Sequence, residues 1–346
     1  MTPACPPLRD SSPPGHRRRA VRASLVALVL VQLAGSPAFS SSEPCTDSTL
    51  CRDQLALRRG GTLAYFRTLR PDRNEAVRRA VIVVHGNRRD ADRYFEHLVA
   101  AARAEERLGD TALLAPAFGT LDDERSKSEL HWSSHGWKIG DKSRDATRTS
   151  SFAALDELLA QVCGLSRTSF PQIQKVAIVG HSAGGQFVNR YAAGGAGCSD
   201  RAVEVHYVVM NPSSYLYLDG RRRADGAADF EVPRGGCRGY DDYKYGLRDL
   251  NSYMERVGPD RIRQNLFTRR VYYLAGEEDT RGGSSLDTSC RANLQGSQRL
   301  ARFTSYRDYS RLFDEWTGSV FATIPGIGHD GARMLMSDTT RRVLFR

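Results

Sequence analysis

The chain has 346 residues, 40% of them hydrophobic and 26% charged, with a formal net charge of +10. That apolar fraction can fill a large core and excludes an intrinsically disordered chain. The basic residues are scattered, with Arg221-Arg222-Arg223 the only triplet after residue 40, so no stripe of cations and aromatics marks a nucleic-acid surface.

The first forty residues stand apart. Basic His16-Arg17-Arg18-Arg19-Ala20-Val21-Arg22 precedes an apolar run at 23–34, and Ala38-Phe39-Ser40 offers small residues around a cleavage point. This pattern predicts a secretory signal peptide over 1–40, with a run too short for a membrane span. Ser36 stands where a lipoprotein signal needs cysteine, so no stable membrane anchor is expected. The segment holds five arginines and one aspartate, leaving the remainder at about +6. Cys45, Cys51, Cys163, Cys198, Cys237 and Cys290 remain, an even number that predicts three disulfides in a secreted or periplasmic protein. Spacing favours Cys45–Cys51, and the layout of elements favours Cys163–Cys198 and Cys237–Cys290.

Residues 54–57, a turn at Arg59-Gly60-Gly61 and residues 62–66 read as a β-hairpin. Residues 80–84 are wholly apolar and end at His85-Gly86, the pattern of a strand buried on both faces. Residues 90–108 place Tyr94, Leu98, Ala101 and Ala102 at helical spacing and stop at Gly109. A strand at 111–115 is closed by Pro116, and Ser150-Ser151 caps a helix through Leu155, Leu158, Leu159 and Val162. Further strands are predicted at 176–179, 203–210, 270–275 and 319–324, with helices opening at Gly184-Gly185, over 300–316, and through Met334, Leu335 and Val343.

This alternation predicts an α/β fold, a mostly parallel, doubly wound sheet in one domain over 41–346. Two stretches break it, 118–147 and 213–264. The second carries Tyr215, Tyr217, Tyr240, Tyr243, Tyr245 and Tyr253, and reads as an inserted aromatic cap over 213–265 at the sheet's carboxyl edge.

The strand at 176–179 runs into Gly180-His181-Ser182-Ala183-Gly184 and then a helix. This is G-x-S-x-G in a strand-to-helix turn, which strains the serine backbone and projects its hydroxyl from the sheet end. Such a serine needs a base, a carboxylate to orient that base, and donors for an oxyanion, in the order serine, acid, histidine. His16, His85, His97, His131 and His135 precede the serine, His181 adjoins it and His206 sits mid-strand, so His329 is the expected base. Asp279, in Gly276-Glu277-Glu278-Asp279, is the expected acid, with Glu277, Glu278 and Asp287 as alternatives. The oxyanion donors are expected at the N–H of Ala183 and of Asn87 or Arg88, each contributing about 3 kcal/mol in the transition state. Trp132 and Trp137, on the long loop, and His181 are candidate substrate contacts; the alternative for the tryptophans is that they anchor the loop. His131 and His135 have two-histidine metal spacing, but no carboxylates flank them and no metal site is expected.

From about residue 54 onward the chain resembles the α/β-hydrolases, and among them secreted serine esterases of the polyhydroxyalkanoate depolymerase-like and feruloyl esterase-like group. The likeness is carried by His85-Gly86, Gly180-His181-Ser182-Ala183-Gly184-Gly185, residues 276–279 and Gly328-His329. His181 departs from the residue usual in the depolymerase-like enzymes, and no separate polymer-binding module is visible. The resemblance implies a triad of Ser182, Asp279 and His329, an ester substrate, no metal and no organic cofactor. The expected partner is a small-molecule or lipid-like ester. A lipase, acyltransferase or peptidase would use the same triad, and a binding or sensor protein on the same scaffold is the non-catalytic alternative.

Overall fold

The computed structural model describes residues 43–346 apart from 71, 124, 125, 167, 201, 224–228 and 284; the signal peptide expected over 1–40 lies outside the described residues. The hairpin is formed by β1 (Arg52–Ala56) and β2 (Thr62–Arg67), paired antiparallel. The remaining strands of the main sheet are β3 (Arg79–Val84), β4 (Thr111–Pro116), β5 (Lys175–His181), β6 (Glu204–Met210), β9 (Arg270–Gly276) and β10 (Ser319–Ile324). β7 (Arg222–Arg223) and β8 (Phe230–Glu231) form a separate two-stranded ribbon. The eight strands run in the order β1-β2-β4-β3-β5-β6-β9-β10, parallel from β4 to β10.

The apolar runs make sense because the sheet is covered on both faces. On β3, Ala80, Ile82 and Val84 join one core while Val81 and Val83 join the other; on β5, Val176 and Ile178 alternate with Ala177 and Val179. The first core is closed by α2 (Ser151–Cys163), α3 (Ala183–Gly194), α5 (Pro259–Thr268) and α7 (Arg299–Ser310), through Leu155, Phe187, Leu266 and Tyr306. The second is closed by α1 (Ala91–Ala104), α8 (Gly331–Met336) and α9 (Asp338–Phe345), through Phe95, Leu98, Leu335 and Leu344. Burying each such side chain contributes about 1.5–3 kcal/mol. The predicted cap at Ser150 forms, its oxygen accepting the N–H groups of Phe152 and Ala153.

Three expectations change. The helix over 90–108 ends at Ala104, because Glu106 turns into the left-handed region at φ 54°. The single final helix is two helices, broken at Ser337, which ends α8 in extended geometry and caps α9 by accepting the N–H of Thr340. The stretch 213–265 contains α4 (Ser252–Val257) and α5, and α5 is the regular crossover helix into β9. Tyr215 and Tyr217 are core residues, the first stacked on Tyr306 and the second packed at a tilt against Tyr309 of α7.

A backbone packed this deeply without a ladder needs donors for its carbonyls. Three buried arginines supply them. Arg190 donates to the carbonyls of Gln186, Ser214 and Lys244, and Arg302 to those of Ser213, Asp287 and Gly296. Arg222 donates to Asp219, Tyr240 and Tyr245, with its guanidinium 4.2 Å from the centre of the Tyr217 ring. Disulfides join Cys45–Cys51, Cys163–Cys198 and Cys237–Cys290. The second ties the end of α2 to the loop after α3 across 35 residues. Replacing both of its cysteines by alanine is expected to lower the unfolding free energy by about 3–4 kcal/mol. Urea titration under oxidising conditions checks this, and a change below about 1 kcal/mol would contradict it.

Candidate active site

All parallel strands present their carboxyl ends on one edge, and the sheet order sets β5, β6, β9 and β10 side by side. Ser182 follows β5, Asn211 follows β6, Asp279 lies three residues beyond β9 and His329 five residues beyond β10. Residues far apart in sequence therefore meet at one edge.

Ser182 has φ 58° and ψ −113°, a conformation that costs a side-chain-bearing residue about 1–3 kcal/mol. The turn is held by neighbours on both sides. Ser182 N–H donates to Met210 O at 2.9 Å and Ser182 O accepts from Gln186 N–H at 3.0 Å. A Cβ at Gly180 would stand inside contact distance of the Gly184 carbonyl, and one at Gly184 inside that of the Val84 carbonyl. Gly184→Ala is therefore expected to destabilise the fold by about 3 kcal/mol, the upper end for overpacking. A thermal melt matching the parent would show that the elbow tolerates the methyl.

His329 Nε2 lies 2.9 Å from Ser182 Oγ, and His329 Nδ1 lies 2.8 Å from Asp279 Oδ2. With Nδ1–H donating to the carboxylate, Nε2 is left to accept from the serine hydroxyl. Asp279 is nearly inaccessible, and two further groups support its charge. Asn211 Nδ2 donates to Oδ2 at 2.7 Å, and the buried Arg299 guanidinium stands 3.7 Å from Oδ1. Sequence reasoning missed both; Asn211 is visible only as the residue ending β6, and nothing local marks Arg299. The alternative acids are placed elsewhere: Glu277 accepts from Thr323, Glu278 is exposed, and Asp287 binds Lys244 and Tyr245.

His181 lies under His329, ring centres 4.6 Å apart, with Nδ1 3.3 Å from Tyr94 Oη. Burial first, and then the charges of His329 and Arg299, hold its pKa well below the usual imidazole value, so the ring beneath His329 stays neutral. His85 is fully buried and pushed down to about 4 by burial. Its Nε2 accepts the Phe118 N–H at 3.0 Å, leaving Nδ1–H to donate to Gly86 O at 2.9 Å. This histidine ties the 85–88 loop to the loop that follows β4. Arg89 adds to that, donating to Asn87 O and pairing with Asp123.

A cavity of about 480 Å³ opens over Ser182, walled by Asn87, Arg88, Tyr94, His181, Ser285 and His329. Ala183 occupies the first position of α3, where a backbone N–H has no acceptor within its own helix. Trp132 and Trp137 are not on this wall. Both are buried, Trp132 Nε1 donating to Thr149 O and the Trp137 ring packing on His85 and Phe118, so they anchor the loop and the expectation of substrate contact is corrected. A larger cavity of about 970 Å³ lies beside Gly195 and Arg269, without Ser182, Asp279 or His329 on its wall, and size alone carries no chemistry. Among the described residues no group of three or more His, Cys, Asp and Glu side chains could hold a metal ion, and no helix is long and apolar enough to cross a membrane.

Residues 81–343 match the model of the alpha/beta hydrolase family. The chain belongs to that family. The α/β-hydrolase fold is shared with poly(aspartic acid) hydrolase-1 from Sphingomonas sp. KT-1, at 21% identity and a TM-score of 0.59 over 85% of this chain and 98% of the other. It is shared also with LpqC, a poly(3-hydroxybutyrate) depolymerase from Bordetella parapertussis, at 21% identity and a TM-score of 0.57 over 85% and 89%. At that identity the likeness carries the fold and no substrate. No curated protein matches this α/β-hydrolase. Family membership makes hydrolysis its coarse function.

Proposed function

We propose that the protein is an exported serine hydrolase that cleaves carboxylic esters through an acyl-enzyme. The supporting observation is the unbroken hydrogen-bonded line from Ser182 Oγ through His329 to Asp279 beneath an open cavity. Ser182 Oγ attacks the ester carbonyl as His329 Nε2 takes its proton. The N–H groups of Ala183 and Asn87 receive the oxyanion, and Asp279 holds the imidazole tautomer and steadies the imidazolium. Collapse breaks the ester C–O bond, and His329 returns the proton to the leaving alkoxide. Water then repeats the sequence on the acyl-enzyme and frees Ser182. The three disulfides fit a secreted or periplasmic location.

Labelling with a fluorophosphonate probe tests the reading. A covalent adduct on Ser182 is the expected result; intact protein after prolonged exposure would favour the binding or sensor alternative.

A further inference from the structure

The cavity over Ser182 does not end at the serine. Asn87 and Ser285 on its wall also line a second cavity of about 530 Å³, whose wall carries Lys138, Lys244, His135 and Asp287. His329 lines the first cavity and is not on the wall of the second. An ester at Ser182 must keep its leaving oxygen near His329 to be protonated. Its acyl part is the part that extends past Asn87 into the second cavity.

The charges there are not balanced. Lys244 Nζ donates to Asp287 Oδ2 at 3.0 Å, and Tyr245 Oη donates to the same oxygen at 2.6 Å. Arg190 lies behind Lys244 with its guanidinium spent on backbone carbonyls, adding positive potential. Lys138, carried by the 3₁₀ turn Gly136–Ile139, has the Trp137 ring at 5.8 Å but no carboxylate or hydrogen-bond acceptor among the described residues. Burial first, and then the neighbouring Lys244 charge, hold its ammonium down to about 8. His135 is pushed down by burial and by the same two lysines and does not compete as a cation. A half-buried ammonium with no partner is unfavourable until an anion arrives.

We infer that the second cavity is an anion subsite and that the substrate is an ester whose acyl part carries a carboxylate, received by Lys138 beside Lys244. The inference rests on Ser182 being the nucleophile of an esterase. Asp287 offsets Lys244, and Arg291 on the same wall donates to the Arg238 carbonyl, so Lys138 and Arg291 are the cations left to meet an anion. A carboxylate suits the site because a phosphate dianion would be repelled more strongly by Asp287.

The test compares kcat/KM for monoethyl succinate and ethyl butyrate, followed by pH-stat at low salt on one preparation, so the active fraction cancels in the ratio. The parent protein is expected to favour the anionic ester by roughly ten- to hundredfold, the usual worth of a charge-assisted hydrogen bond. Lys138→Met should bring that ratio towards unity, while Lys138→Arg, which keeps the charge, should retain most of it. A parent ratio near one, or a ratio unchanged by Lys138→Met, overturns the subsite while leaving the esterase reading intact. No turnover of either ester, together with no fluorophosphonate adduct, overturns the esterase reading and the subsite with it.

Discussion

Ser182→Ala is expected to lower kcat for p-nitrophenyl ester hydrolysis by about 10⁴- to 10⁶-fold while the protein still folds. The substitution removes the one atom, Oγ, that lies 2.9 Å from His329 Nε2 over the cavity. Residual rate would come from water attacking an ester still held by the oxyanion donors. Stability should be nearly unchanged, because alanine meets the strained backbone at φ 58° no worse than serine does. The same preparation serves for kinetics and for a circular-dichroism melt. Parent-like turnover by folded Ser182→Ala would remove the serine from the reaction.

Asp279→Asn should reduce kcat by about 10⁴-fold, because an amide can donate to His329 Nδ1 and so place the imidazole proton on Nε2, where it blocks the base. A second effect separates this carboxylate from an ordinary orienting group. Arg299 and Asp279 are both buried, and removing the acid leaves the guanidinium without its carboxylate, a loss of about 3–5 kcal/mol for a broken buried pair. Urea denaturation reads that loss and single-turnover kinetics read the chemistry. Glu277→Gln and Glu278→Gln should leave kcat within about twofold, since Glu277 engages Thr323 and Glu278 faces solvent. If Glu277→Gln carried the large defect instead, the acid would be misassigned.

Much of the fold was legible because it rests on local pattern. Continuous apolar runs such as residues 80–84 name strands covered on both faces, and Ser150 marks a helix start through short-range capping. The final helix was misread because apolar spacing continues across Ser337 although the backbone breaks there. Within the stretch 213–265 the burial of individual tyrosines was not legible. Tyrosines in an irregular stretch suggest a surface cap, but Tyr215 and Tyr217 are buried in a segment whose nearby carbonyls accept from Arg190, Arg222 and Arg302, contacts with no sequence signature.

The strand-to-helix turn at Ser182 is a local requirement written in adjacent residues, while the even set of cysteines and the order of the three candidate residues follow from counting and from the alternation of strands. Long-range packing set which acid meets His329, the hold of Asn211 and Arg299 on that acid, the burial of Trp132 and Trp137, and the placing of Lys138 and Lys244 on a cavity that adjoins the one over Ser182. Those facts depend on the parallel sheet bringing the ends of separate strands to one edge, and on loops whose course is set by long-range hydrogen bonds.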